Sequence, residues 1–227
     1  MKNIKDFKEE DLKDHRNKRL LKEWKELDAF CSARKAKSPN PLEPSISYII
    51  RKRNYMELPV EYEIWYRVRS IIGVKDGPAP REPIFGNLHK MRIVLPNNYP
   101  SADGNPVFTF LTDVWHPNIR YSGEGDMKGH VCLNSKAMGV RSTLAELVYR
   151  VERYLKYNQY HAENTDPYPE DQIVAQWVRE EGEPNGWTQF RQNDNGESGP
   201  AAPPIEPTPT PAPMEPEPIT PKKKYRI

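Results

Sequence analysis

The stretch His116–Asn134, HPNIRYSGEGDMKGHVCLN, organises the reading of the whole chain. It opens on His116-Pro117-Asn118, a turn in which proline fixes φ. Gly123, Gly125 and Gly129 then mark a glycine-rich loop. Val131-Cys132-Leu133 follows, placing a thiol between two apolar residues. A lone cysteine in apolar company is ordinarily a packing residue. Beside a glycine-rich loop, and ahead of a strong helix signal at Thr143, Cys132 is expected to be partly exposed and held by rigid neighbours. The loop lacks the Gly-Lys-Ser/Thr ending of a phosphate cradle.

Downstream, Thr143 and Glu146 make a capping box, and Leu144, Leu147, Val148, Val151 and Leu155 give a helical stripe. The segment Tyr157–Tyr168 is polar and irregular. Pro169, Glu170 and Asp171 read as a first helical turn, whose helix would bury Ile173, Val174, Trp177 and Val178. Upstream, Val107–Leu111, Lys90–Leu95, Val60–Val74 and Ser45–Arg51 read as strands. The clearest is Val60–Val74, where Tyr62, Ile64, Tyr66, Val68 and Ile72 alternate with charged residues. Asp76–Pro80 reads as a loop and Phe85-Gly86-Asn87 as a turn. Consecutive strands joined by short connections predict an antiparallel meander. Ahead of them, Arg16–Ala36 predicts a helix with Leu20, Trp24, Leu27 and Cys31 on one stripe. Lys18, Lys22 and Lys25 fall on the opposite face, and Cys31 is expected to be a buried small hydrophobe.

The 227 residues suffice for one domain of about 100–200 residues with tails. The boundaries predicted are a charged N-terminal extension at 1–15, a folded domain at 16–182 and a disordered proline-rich tail at 183–227. Ten of the 24 residues from Ser198 to Pro221 are proline, which argues against a packed core there. A formal charge of +2 gives no reason to expect nucleic acid. No run approaches the roughly 20 apolar residues of a membrane span, and no membrane association is expected. Two distant cysteines form neither a disulfide framework nor a metal motif, and suit a reducing, cytoplasmic setting. His130, Cys132 and His161 have no familiar zinc spacing, so no metal is expected.

One order of motifs is more specific than any of its parts. Tyr99-Pro100, Pro106 before Val107-Phe108-Thr109-Phe110, His116-Pro117-Asn118-Ile119, Val131-Cys132-Leu133, and Asn164-Thr165-Asp166-Pro167 occur in that sequence. Over Arg16–Glu181 this resembles the ubiquitin-conjugating enzymes. The resemblance implies an α+β fold with an N-terminal helix, a four-stranded antiparallel meander and C-terminal helices. Two features depart from the usual pattern. The family cysteine tends to lie eight residues past the motif asparagine, whereas Cys132 lies fourteen past Asn118. A tryptophan usual after the cysteine is absent, with Gly139-Val140-Arg141 in its place. These departures look like divergent bacterial relatives, which tend to be encoded beside an activating enzyme, a ubiquitin-like protein and a peptidase, some in antiviral (antiphage) defence.

The activity implied is acyl transfer. Cys132 would take the C-terminal acyl group of a ubiquitin-like protein from an activating enzyme as a thioester, then pass it to a lysine of a protein substrate. No cofactor is implied for this chain, ATP being used by the activating enzyme. The resemblance assigns Asn118 to the oxyanion or to stiffening the loop, and the longer loop puts its distance from Cys132 in question. Asp166 would orient the amine and help take its proton, with Glu163 in reserve. His116, Pro117 and Tyr99 would support the site, as would His130 and His161, either of which would acidify the thiol. Lys18, Lys22 and Lys25 would dock the activating enzyme. Three other readings are open: a cysteine hydrolase using Cys132 and His161, an inactive variant that binds a ubiquitin-like protein, and an adaptor whose proline-rich tail is its working part.

Overall fold

The computed structural model describes residues 3–40, 42–123, 125–133 and 142–190, so the proline-rich stretch and Gly139-Val140-Arg141 lie outside the described residues. The first helix, α1 (His15–Ala36), starts where the Asp14 side chain accepts the Asn17 amide. Its stripe is buried as the periodicity predicts: Leu20, Leu21, Trp24, Leu27 and Cys31 face the core. Lys18, Lys22 and Lys25 are exposed.

Six strands follow: β1 (Ile46–Arg53), β2 (Pro59–Tyr66), β3 (Ser70–Val74), β4 (Pro83–Gly86), β5 (His89–Val94) and β6 (Val107–Phe110). β1, β2, β5 and β6 form an antiparallel four-stranded sheet in that order. Tyr62, Ile64 and Tyr66 of β2 and Met91 and Ile93 of β5 face α1 and the core. Trp65, Lys90 and Arg92 lie on the other face, with Lys90 4.4 Å from the Trp65 ring. The fold is α+β, as expected.

The strand predicted over Val60–Val74 is two strands in two sheets. It breaks at Arg67-Val68-Arg69, and β3 pairs with β4 in a separate two-stranded sheet. The alternation runs through the break because Val68 remains buried there. Phe85 and Gly86, expected in a turn, belong to β4.

Among the described residues, two further helices follow. α2 (Leu144–Leu155) has the predicted capping box between Thr143 and Glu146. α3 (Gln172–Trp177) begins one residue after Asp171, which is the cap rather than part of a first turn. Ile173, expected to be buried, is exposed, while Val174, Trp177 and Val178 are buried. A single π turn, Val178–Gly182, continues α3.

The structure has two cores. One lies between the large sheet, α1 and α2. The other gathers Ile71, Trp115, Tyr157, Trp177 and Phe190 around α3 and the small sheet. The segments expected to flank the domain enter both. Phe7 and Leu12 are buried, with the Phe7 ring edge-on to Trp24 at 5.9 Å. Phe190 packs edge-on against Phe85 at 5.3 Å.

Buried carboxylates tie the helices together. Glu23 of α1 accepts from the Tyr99 hydroxyl at 2.6 Å, from Arg19, and from the amide of Leu144 at 2.6 Å. Glu152 of α2 accepts two bonds from Arg34 and one from Lys156. Tyr99, named above as a support of the site, bonds to Glu23 of α1 and packs in the core. No helix among the described residues is long and apolar enough to cross a membrane.

Candidate active site

The site is a two-stranded ribbon laid against the end of the large sheet. Residues 129–131 pair with β6, the Val131 amide donating to Phe108 at 3.1 Å and the Phe110 amide to Gly129 at 2.8 Å. On its other side the same segment meets the chain after the proline turn. Ile119 and Val131 are bridge partners, the Arg120 amide donates to His130, and the Cys132 amide donates to Asn118 at 2.9 Å. Those two flanking bonds make Ile119 and Val131 a non-hydrogen-bonded pair, with Asn118 opposite Cys132 and Arg120 opposite His130. Directly opposed residues hold their Cβ atoms about 4.5–5.5 Å apart on one face.

This register answers the question raised by the long loop. The thirteen residues between Asn118 and Cys132 do not separate them, because the ribbon closes again before the cysteine. The Gly129 amide donates to Arg120 at 2.7 Å, and the residues between are an excursion from that closed neck. The return needs glycine. Gly129 has φ +81°, and a Cβ there would sit 2.3 Å from the Phe110 carbonyl oxygen.

Ile119 and Val131 turn inward and are buried. Asn118, Cys132, Arg120 and His130 share the other face, which segment 159–171 covers. The amide of His161 donates to Asn118 Oδ1 at 3.1 Å. Because an N–H can only donate, this contact assigns the side-chain oxygen and turns the Asn118 NH2 elsewhere. Further along, Glu170 lies 3.1 Å from His130 Nδ1 and 3.5 Å from Arg120. Residues 163–168 between these anchors, including Glu163 and Asp166, are exposed, while Ala162 and Pro169 are buried. This segment forms an arch whose two feet stand on either side of Cys132.

Asp171 is the keystone of the far foot, and the sequence reading gave it only a helix-dipole role. It is fully buried. One carboxylate oxygen accepts the amides of Ile173 and Val174, capping α3. The other accepts the amides of Tyr121 and Ser122 and the Ser122 hydroxyl. Its own amide donates to Pro117 at 3.0 Å. Burial alone would raise this carboxyl, but the donors win and hold it below the usual aspartate value. The available signal was Pro-Glu-Asp before a short apolar run, but nothing in the spacing showed a reach back to residue 122.

The histidines divide by environment. His116 is fully buried, stacked on Tyr154 at 5.0 Å, and its Nδ1 accepts the Asn118 amide at 3.1 Å. Burial pushes it down to about 3, a shift that the ring's interaction with the Gln159 carbonyl only partly opposes. It is therefore neutral at physiological pH and braces the turn. His161 places Nε2 3.2 Å from the Thr165 carbonyl within its own arch, which requires a proton on Nε2. Tyr154 is pushed up to about 12 by burial and, less strongly, by the neighbouring Cys132.

Cys132 is half-buried, its downstream neighbour fixed by a bond from Arg150 to the Leu133 carbonyl at 3.1 Å. Neither cysteine is in a disulfide. Burial pushes the Cys31 thiol up to about 12, the reverse of what a nucleophile needs. The structure thus brings Cys132, Asn118, His116, Pro117, His130 and His161 together, with Asp166 on the arch above. Tyr99 lies beside Glu23, between α1 and α2, and Lys18, Lys22 and Lys25 lie on α1.

No family model matches the sequence, and no curated protein matches it. Solved structures similar to the chain include human ubiquitin-conjugating enzyme E2 G1, at 20% identity and a TM-score of 0.35, over 60% of this chain and 92% of that one. Another is the E2 domain of a ubiquitin-conjugating enzyme from Toxoplasma gondii, at 19% identity and a TM-score of 0.39, over 70% of this chain and 87% of that one. At such identities and TM-scores these likenesses establish neither a family nor an activity for this chain.

Proposed function

We propose that the protein is an acyl carrier of the ubiquitin-conjugating type, receiving the C-terminal acyl group of a ubiquitin-like protein on Cys132 and transferring it to a lysine amine. The observation that carries this reading is the cross-strand pairing of Asn118 with Cys132, with the Asn118 oxygen held by the His161 amide.

In the first step the Cys132 thiolate attacks the thioester carbonyl on the activating enzyme. The new S–C bond forms as the old one breaks, and the donor leaves as a thiolate. In the second step an amine attacks the Cys132 thioester, the carbonyl oxygen gains negative charge, and collapse expels the Cys132 thiolate. An amide NH2 fixed beside the sulfur can donate to that oxygen. Because the Asn118 oxygen is already held, its NH2 is the group left for this task.

The amine must also lose a proton. Lysine has an ordinary pKa near 10.4, so only a fraction of a per cent is neutral at pH 7. Asp166 on the exposed arch, with Glu163 near it, gives the incoming ammonium a carboxylate to meet. Lys18, Lys22 and Lys25 offer an exposed basic face for the activating enzyme. The enlarged loop and the absent tryptophan favour a bacterial conjugation system as the setting.

The competing reading with an observation behind it is a cysteine hydrolase. With His161 as its base it would need the His161 Nε2 lone pair turned to the thiol, whereas His161 commits Nε2 to Thr165. The fate of the loaded acyl group separates the two. Charged Cys132 is expected to persist in buffer and to discharge on adding free lysine, with the acyl group recovered as the lysine amide. Discharge to the free acid at a rate indifferent to lysine would establish the hydrolase.

A further inference from the structure

Beside the cysteine stands a titratable pair that the steps above leave unused. His130 precedes Cys132 by two residues in extended backbone, so both side chains leave the same face, their Cβ atoms roughly 7 Å apart. Burial shows the alternation: Val131 and Leu133 are buried, while His130 and Cys132 are half-buried. An imidazole reaching from its own Cβ spans most of that gap.

The ring is oriented from behind. Nδ1 lies 3.1 Å from Glu170 Oε1, and the same carboxylate lies 3.5 Å from the Arg120 guanidinium. Arg120 stands opposite His130 in the ribbon, so Glu170 bridges two neighbours on one face. Glu170 is only 14% exposed. Its position is set by Asp171, which is bound to Pro117, Tyr121, Ser122 and the start of α3. A carboxylate on Nδ1 leaves Nε2 on the far side of the ring and favours the tautomer with a lone pair there.

The other histidines near the cysteine cannot serve in the same way. His116 is enclosed and spends Nδ1 on the Asn118 amide. His161 spends Nε2 on Thr165. Among the described residues, the charged groups against His130 are Glu170 and Arg120, with the exposed acids Glu163 and Asp166 on the arch. Lys128 of the same loop is paired away with Asp113 at 2.9 Å.

We propose that the His130–Glu170 pair is the proton carrier of this site. The inference rests on the acyl-carrier reading of Cys132. As the amine nitrogen attacks the Cys132 thioester, Nε2 takes a proton from that nitrogen and gives it to the departing sulfur. A C–N bond forms, a C–S bond breaks, and one proton passes from nitrogen to sulfur through the imidazole. No further reactant is consumed. A group that returns a proton to sulfur also removes it in reverse, so the free thiol reports the same contact.

The test is the rate of Cys132 alkylation by iodoacetamide against pH, read by mass spectrometry of the intact chain and its peptides. Cys31 is deeply buried and serves as the internal silent thiol. Wild type is expected to show two inflections, one from the imidazole and one from the thiol. His130→Gln should keep one inflection and react on the order of tenfold more slowly at neutral pH. Glu170→Gln retains an acceptor oxygen, so its fold is the safer, and it should slow alkylation at neutral pH by less than His130→Gln does. Superimposable profiles for wild type and His130→Gln, at unchanged Tm, would overturn the proposal and leave the pair as a clasp on the arch. Distinct profiles in a protein whose Cys132 never accepts an acyl group from a charged activating enzyme would overturn the transfer step itself, while the alkylation contact stood.

Discussion

At the scale of single residues the account turns on Asn118. Its oxygen holds the arch and the proposed mechanism gives its NH2 the oxyanion, so the two functions separate by substitution. Asn118→Ala removes both and leaves the His161 amide without its partner, at a cost of about 1–3 kcal/mol in stability. Transfer to lysine should fall by about 10²–10³-fold, the range for losing one oxyanion donor. Asn118→Asp keeps an acceptor for the His161 amide and loses the NH2. It should therefore keep Tm close to wild type while transfer to lysine still falls, as pulse-chase discharge would measure. Proline and glycine punctuate the stretch from His116 to Cys132 strongly, but it was the resemblance that put Asn118 with Cys132. The sequence could not show the register, because a fourteen-residue interval is compatible with many closures. Only the Ile119–Val131 bridge settles it.

At the scale of elements, the arch and α3 hang on Asp171. Asp171→Ala removes five acceptor contacts and should destabilise by about 3 kcal/mol or more, summing a lost cap with unpaired buried amides. Urea unfolding would measure this, and the loop after Tyr121 should show faster amide exchange before the rest of the domain. Glu23 plays the matching part between α1 and α2. Breaking its contacts with Glu23→Ala is expected to cost roughly 3–5 kcal/mol, since Arg19 then loses its buried partner. Neither carboxylate could be recognised from the sequence. Glu23 sits among lysines and glutamates on a helix whose pattern assigns it no special place, and its partners Tyr99 and Leu144 are far away in the chain. Helix periodicity and capping were legible because they are local. The break in the long strand was not, since Val68 keeps the period of two across it.

At the scale of the molecule, two buried histidines set the response to acid. Burial pushes His116 down to about 3 and His89 down to about 4. Unfolded histidine binds a proton near pH 6.5. Below that value the unfolded chain therefore holds more protons than the folded one, and stability falls with pH until the folded values are reached. Asp171, also held low, extends the loss below the ordinary carboxyl range. Urea midpoints should thus drop between pH 7 and pH 4.5, and His89→Gln should flatten the slope. Charged residues around Phe7 and polar ones around Phe190 dilute the apolar signal at both ends, while those two rings still reach the cores. Truncation after residue 182 should lower Tm by several degrees relative to truncation after residue 190, because it removes Phe190. Reversing the charges of Lys18, Lys22 and Lys25 should slow loading while leaving Tm unchanged. The central claim is that Cys132, and not Cys31, carries an acyl group. It is tested by incubating wild type, Cys132→Ala and Cys31→Ala with activating enzyme, ubiquitin-like protein and ATP, then resolving them on a non-reducing gel. The account predicts a reductant-sensitive shifted band for wild type and Cys31→Ala and none for Cys132→Ala. No shifted band for wild type, under conditions where the activating enzyme is itself charged, would contradict it.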